Sequence, residues 1–330
     1  MQIIEIHNAS FERLWDGLWR ADATQHPFLT PLDVEYSKEY ARDSRFDDLS
    51  FLVEENGTPI LGLRMAIRKH PDNSLELSGF GRPITFLEST TVEPSLREAA
   101  AKMLCGQLKA QLDQNQFQKV LYQERRSHLS PVGRCLLDAG AEAIPRFTQV
   151  IELSASETEL RMNLRKSYKS LVNWGEKNLQ LTLRDFDAVT PDDMEAFRLL
   201  HVDVAGRETR SRRTWELQLE MIRRQEAFII LGRLAGDVVT AAFFNHSARY
   251  CYYFCSASRR ELFEKPLAHV VLWQAIRHAK ELGCRCFEMG DQLFPALSDS
   301  PPTPKELGIS AFKKGFGGET QIRTDIVWNR

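Results

Sequence analysis

The sequence predicts a mixed α/β layer fold with a largely antiparallel sheet, built from one unit used twice. Three observations carry this expectation. First, two hairpin patterns of the same kind recur, one over 51–65 turning at Asn56-Gly57 and one over 228–244 turning at Ala235-Gly236-Asp237. Second, each hairpin is followed by more strand-like sequence, an amphipathic helix and a further strand. The first helix is expected near 95–112 with its strand at 119–123. The second runs near 267–282, stops at Gly283 and leads into a strand at 284–289. Third, each half opens with helix. Phe11, Leu14, Trp15, Leu18 and Trp19 recur at spacings of three and four, one helical face. Met194, Phe197, Leu200 and His201 do the same after a capping region at 190–193. The expected division is 1–153 and 154–330, with acceptor binding assigned to the first half and the chemistry to the second. A basic amphipathic helix over 162–174 is expected to bridge them.

Composition bounds the function. The 330 residues are 43% hydrophobic and 27% charged, values of a globular chain with length for two cores. A net charge of -2 argues against a dedicated nucleic-acid binder. No apolar run reaches the roughly 18 residues that cross a bilayer. Residues 1–7 lack the basic start and apolar core of a signal peptide, so a cytosolic protein is expected. The six cysteines form no C-x-x-C pair, and no histidine stands at zinc-finger spacing. They read as small buried thiols, and no metal is expected.

The residues that can carry chemistry lie in the second half. The arginine-rich stretch 201–215 contains Arg207, Thr209, Arg210 and Trp215. Its guanidinium groups can clamp phosphate or carboxylate, or can simply be a solvated loop between helices. The strand-like run 252–258 offers Tyr253 and Ser256 at a strand end, to position substrate or to serve as plain core and strand exit. His269 stands in the first turns of the helix after Pro266. A helix N-terminus there lowers an imidazole pKa, making it a neutral donor or base, or a structural side chain. Asp291 follows a buried strand and either faces a lysine as an acid/base partner or caps a turn.

The tail, 305–318, packs Lys305, Phe312, Lys313 and Gly317 among further lysines, aromatics and glycines. It reads either as an anionic-ligand loop with a closing segment or as a hairpin with solvated lysines. The proline-rich run 297–304 before it is a loop that can order on ligand binding, and 79–83 is a candidate acceptor loop. Phosphate-loop, zinc-protease, nucleophile-elbow and dinucleotide motifs do not occur.

Taken together, His201, Ala205-Gly206-Arg207, Thr209-Arg210, Thr214-Trp215, Tyr252-Tyr253, His269 with Trp273, Gly290-Asp291, Lys305-Glu306 and the run Phe312-Lys313-x-Gly315-Phe316-Gly317-Gly318 resemble the FemAB-like branch of the GNAT acyltransferase superfamily. The resemblance covers the second half, and reaches the first only as a repeat of the same unit. It implies two tandem GNAT-like units with a substrate cleft between them, and transfer of an acyl or aminoacyl group to an amine in cell-envelope biosynthesis. Peptidoglycan bridge-forming relatives use aminoacyl-tRNA, and others are expected to use an acyl thioester such as acyl-CoA as co-substrate, with no tightly bound cofactor. The family's Phe-Lys pair, implicated in donor binding and in stabilising the tetrahedral intermediate, matches Phe312-Lys313. A departure stands at 258–266, where ordinary GNAT enzymes carry a glycine-containing pyrophosphate loop. This chain has no glycine there, which puts conventional CoA binding in doubt.

Overall fold

The structure, a computed structural model, describes residues 1–28, 30–115, 117–126, 128–295 and 301–329. By internal contacts the chain divides into one unit of Met1–Arg146 with Arg323–Arg330 and another of Phe147–Ile322. The second unit therefore starts before Ser154, and the final residues belong to the first. A single cut in the sequence misses this because the division falls inside two long strands.

The first unit runs β1 (Gln2–Glu5), α1 (Phe11–Ala21), α2 (Pro31–Tyr40), β2 (Arg45–Asp48), β3 (Phe51–Glu55), β4 (Thr58–Arg64), β5 (Ala66–Lys69), β6 (Leu75–Ser78), β7 (Thr85–Glu88), α3 (Pro94–Gln114), β8 (Lys119–Glu124) and α4 (Pro131–Asp138). Strands β1, β3, β4 and β7 pair antiparallel in that order. The β3–β4 turn places Asn56 and Gly57 at φ of 50° and 80°, the left-handed pair a two-residue hairpin needs. Leu104, Leu108 and Leu112 of α3 share a core with Val53, Leu61 and Leu63. The expected acceptor loop at 79–83 is a closed turn. Gly79 and Arg82 exchange backbone hydrogen bonds, Phe80 is buried, and the Arg82 guanidinium is 2.6 Å from the Asp33 carboxylate.

The second unit takes in β9 (Glu142–Glu152) from Phe147, then α5 (Glu157–Asn163), α6 (Lys166–Asn178), β10 (Gln180–Arg184), α7 (Pro191–Ala205), α8 (Arg212–Arg223), β11 (Ala227–Leu234), β12 (Asp237–His246), β13 (Tyr250–Ser258), α9 (Leu267–Glu281), β14 (Cys286–Gln292), α10 (Pro304–Lys314) and the start of β15 (Glu319–Asn329). Its sheet order is β10-β11-β12-β13-β14-β9, antiparallel except for the parallel β13–β14 pair.

Strand alternation sorts the side chains to two faces. Phe228, Ile230, Ala242 and Phe244 share a core with Tyr168 and Val172 of α6 and with Val271, Leu272 and Ala275 of α9. The opposite face receives α7 and α8. Asn245 of β12 reaches Met221 of α8, and Cys255 of β13, paired with Phe243, meets Gln218 of α8.

The expected bridging helix at 162–174 is instead two helices, α5 and α6, broken at Leu164-Arg165 and lying within the second unit. Their apolar side supplies Leu160, Tyr168 and Val172 to its core, so they are buried structure rather than a connector. Helix α6 crosses α9 where Gly175 meets Val270, and a Cβ at Gly175 would stand 2.5 Å from the Val270 Cβ. Gly175→Ala is therefore expected to force the helices apart and destabilise the protein by about 1–3 kcal/mol, read by urea denaturation. No change in the urea midpoint would refute close packing at this crossing.

Among the described residues, no helix is long and apolar enough to cross a membrane.

Candidate functional site

Strands β13 and β14 pair in parallel over three positions only, Tyr250–Tyr252 with Cys286–Glu288. Beyond that point β13 continues along β12 and β14 continues along β9. Two bulges mark the parting. Phe254 is an extra residue between the partners of Phe243 and Phe244, and Met289 is extra between those of Val150 and Gln149. The strands thus separate directly after Tyr252 and Glu288, and the next residue that faces the opening is a glycine. Gly290 has φ of +86°.

The tail from Thr303 fills this opening with a helix rather than a loop or a hairpin. Thr303 and Glu306 form a capping box, with Pro304 in the first turn, and together they start α10. Of the proline-rich run 297–304, residues 297–300 lie outside the described residues. Helix α10 is tied to the end of β14 by Ser310, which donates to Gln292 Oε1 at 2.9 Å and accepts from the Leu293 N–H at 3.0 Å. Its C-terminal carbonyls are capped from the α5–α6 junction. Arg165 Nη2 donates to Ala311 O at 3.0 Å, and the Tyr168 hydroxyl donates to Phe312 O at 3.2 Å. A guanidinium there also complements the negative end of the helix dipole.

These ties aim Lys313 at Gly290. A Cβ at Gly290 would be 3.0 Å from Lys313 Nζ and 3.3 Å from the Tyr252 hydroxyl, so only glycine leaves room for the ammonium. Burial lowers the proton affinity of Lys313, while the charges of Asp291 and Glu288 act to raise it. Glu288 is buried and accepts from Thr148 Oγ1 at 2.7 Å and from the Tyr250 hydroxyl. Asp291 is exposed. Among the described residues the Lys313 ammonium forms no ion pair or hydrogen bond. It is a half-buried cation at a strand parting, close to two carboxylates and bound to neither.

The other expected residues divide into separate places. His269 is not brought to Lys313. Its ring lies against the rings of Tyr168 at 4.5 Å and Phe312 at 5.1 Å, on the α6–α9 face. Burial lowers its pKa to about 4, against a backbone hydrogen bond at Pro266 that acts to raise it. Desolvation, not the helix N-terminus, is the main cause. Phe312 shares this aromatic cluster with Phe316 at 5.3 Å. One residue apart on α10, Phe312 and Lys313 serve different surroundings.

Tyr253 stacks on Phe244 at 5.7 Å, bonds Ser256 through its hydroxyl, and has its pKa raised to about 12 by burial. Arg210 lies 3.7 Å over the Trp215 ring and reaches Cys255 Sγ at 3.8 Å, so these two candidates meet on the α7–α8 face. Arg207 and Thr209 are exposed. Lys305 is exposed at the start of α10, about 12 Å along the axis from Lys313. Gly317, at φ of +89°, abuts the backbone of Asn163, where a Cβ would sit 2.9 Å from its carbonyl oxygen. Its role is close packing of the turn after α10.

The neutral state of His269 has a measurable consequence. In the unfolded chain its pKa is near the ordinary ~6.5, so the unfolded state takes up more protons as pH falls. Stability should be fully present above about pH 6.5 and be lost progressively toward pH 4. His269→Phe is expected to flatten this acid limb by on the order of 2 kcal/mol, measured as the difference between urea midpoints at pH 7 and pH 4.5. An unchanged slope would mean that His269 protonates freely in the folded protein.

Several amides in and beside the turn at 258–266 are engaged by the backbone. The N–H groups of Arg259, Leu262, Phe263, Lys265 and Leu267 donate to backbone carbonyls of Val239, Arg259, Arg260, Leu262 and Lys265. A pyrophosphate cradle needs such donors free and converging. With these five amides engaged and no glycine at 258–266, the turn departs from such a cradle.

Residues 159–296 match the acetyltransferase (GNAT) domain family. Among curated proteins none matches the sequence. Among solved structures, FemX superposes with a TM-score of 0.71 at 13% identity, covering 100% of this chain and 98% of its own. A tandem GNAT protein from the clavulanic acid biosynthesis pathway gives 0.56 at 13% identity, with coverage of 99% and 98%. The C-terminal domain of a putative lysylphosphatidylglycerol synthetase from Agrobacterium fabrum gives 0.58 at 12% identity, with coverage of 97% and 92%. At these identities the structures speak for the fold, and the family match speaks for the second unit. The chain shares the fold of FemX and of a tandem GNAT protein, and its residues 159–296 match the acetyltransferase (GNAT) domain family.

Proposed function

We propose that the second unit transfers an acyl group from an activated donor, an acyl thioester, to an amino group on a sugar-nucleotide, glycan or peptide precursor of the cell surface. One observation carries this reading: the half-buried Lys313 ammonium, without a bonded partner among the described residues, at the parting of β13 and β14 beside Gly290 and Tyr252. Attack of an amine on a thioester forms a C–N bond and puts negative charge on the carbonyl oxygen. A preorganised ammonium in a partly dry site stabilises that charge. The intermediate collapses by breaking the C–S bond, and the thiolate leaves. The attacking nitrogen must shed a proton, and in this reading Asp291, exposed on the same strand end, accepts it. Phe312 acts at one remove, locking α10 against Tyr168 and His269 so that Lys313 keeps its aim.

A second reading, an aminoacyl-tRNA donor, draws support from the glycine-free turn at 258–266. Charge weighs against it. Lys166 and Lys169 lie on α6 with Arg165 at its N-cap, on one sheet face, whereas Arg212 and Arg213 begin α8 on the other. Arg212 and Arg213 are also paired with Glu195 and Glu216. No continuous basic stripe of the kind that tracks a nucleic-acid backbone results from these five.

The test is to incubate the protein with acyl-CoA species and, separately, with charged tRNA, across a panel of amine acceptors. Donor and product are followed by mass spectrometry. Thioester consumption with an N-acyl product is the expected result. Consumption of charged tRNA alone would favour the second reading. Retention of every donor would sink both and leave a non-catalytic binding module.

A further inference from the structure

The second unit holds a cavity of about 580 Å³ that the transfer chemistry above does not use. It lies between β9, α5, α9 and the turn from α10 into β15. One wall is apolar, formed by Ile151, Leu160, Trp273, Ile276 and Phe316. Another is bare backbone at Gly317-Gly318, where a Cβ on Gly318 would stand 2.2 Å from Val150 O. The polar part of the lining is Glu152, Asn163, Glu319 and Gln321.

Two features of this lining are unsatisfied. Trp273 is 1% exposed, yet its indole N–H has no hydrogen-bond partner among the described residues. A buried donor left unmade costs free energy, and native structures seldom tolerate it without an occupant. Glu152 and Glu319 are exposed carboxylates that form no ion pair among the described residues. The cations nearby are already bound. Arg161, 5.4 Å over the Trp273 ring, is held by both oxygens of Glu176 and by Asn173. Arg277 pairs with Glu157 at 2.9 Å, and Lys280 donates to Leu153 O at 2.8 Å. None of these basic residues lines the cavity.

We infer that this cavity binds an organic ammonium ion with an apolar body and a hydrogen-bond acceptor. The charged nitrogen sits at the mouth between Glu152 and Glu319. The apolar body lies on the wall of Leu160, Ile276 and Phe316. The acceptor takes the Trp273 indole N–H. Anionic ligands are excluded by the two carboxylates, and purely polar ones gain nothing from the apolar wall. The inference is independent of the acyl-transfer reading, since Lys313, Gly290, Tyr252 and Asp291 do not line the cavity.

Leucinamide is a probe with these three features. N-acetylleucinamide keeps the body and the acceptor but has lost the charge, and N-acetylleucine is an anion. Binding is measured by isothermal titration calorimetry at low ionic strength, with the intact protein. Leucinamide should bind saturably, and both N-acetyl compounds at least about tenfold more weakly. Glu152→Gln with Glu319→Gln, at exposed positions that leave the core intact, should weaken leucinamide by about tenfold or more. Trp273→Phe should weaken it by a smaller factor. Equal affinity for the neutral probe, an unchanged affinity in the double glutamine variant, or absence of saturable binding would each overturn the inference.

Discussion

Replacing Lys313 by alanine should lower kcat/KM for acyl transfer by about 10²–10³-fold, the effect of deleting a preorganised oxyanion donor. The fold should survive it. Lys313 has no bonded partner among the described residues, so its removal orphans no buried carboxylate. Its ammonium is disfavoured by burial, and truncation relieves that cost, so the thermal midpoint should hold or rise slightly. That separates a chemical defect from an unfolded sample: rate falls while the melting curve stays. Lys313→Arg keeps the charge but brings a planar, wider head against Gly290 and Tyr252, and should recover only a small part of the rate. The pH profile gives an independent check. If the ammonium is required, activity is lost as pH rises through its pKa. Because burial lowers that pKa, the alkaline limb should lie below the ~10.4 of a free lysine. Full turnover in Lys313→Ala would remove the lysine from the mechanism.

Much of the architecture was legible because periodicity and turn chemistry agree with burial. The Asn56-Gly57 and Ala235-Gly236 turns carry the left-handed backbone that the sequence pattern demands, with Ala235 and Gly236 at φ of 52° and 94°. The stop at Gly283 and the cap at Thr190 appear where expected, Thr190 forming a capping box with Asp193. The tail was misjudged for an instructive reason. Its glycines and aromatics drew attention to a loop, whereas the Thr303-Pro304-Lys305-Glu306 start is a helix signal by spacing alone. Once 304–314 is helical, Lys305 and Lys313 are about two turns of rise apart and cannot share one ligand atom.

The site was legible only in part. Lys313, Asp291 and Gly290 are adjacent in space because β14 and α10 are adjacent in sequence. His269 was grouped with them because it shares their half of the chain, but its ring packs against Tyr168 and Phe312. Its face is fixed by the 3.6-residue period of α9 against α6, which the sequence alone does not register against the strands. Tyr252 and Glu288 went unassigned for a related reason. Their position depends on where a parallel pair stops, and the bulges at Phe254 and Met289 that end it have no local sequence signature.

Gly290→Ala should reproduce most of the Lys313 defect without touching the lysine. At φ of +86° any L-side chain is strained, which costs roughly 1–2 kcal/mol. The added Cβ would also meet Lys313 Nζ at 3.0 Å and the Tyr252 hydroxyl at 3.3 Å. Both neighbours are ends of side chains, so the protein can fold by moving them. The ammonium is the freer of the two, since no bond holds it, and it should be the group that shifts. A displacement near 1 Å at a charge-stabilising group costs on the order of 10²-fold in rate. Gly236 supplies the control. It has φ of +94° in the β11–β12 turn and open space where its Cβ would go. Gly236→Ala should therefore lose about the same stability in urea denaturation while retaining turnover. If both variants lose activity alike, the effect of Gly290 is backbone strain propagated through the sheet. If only Gly290→Ala does, the glycine is there to admit the ammonium, and the parting of β13 and β14 is the place where the carbonyl must lie.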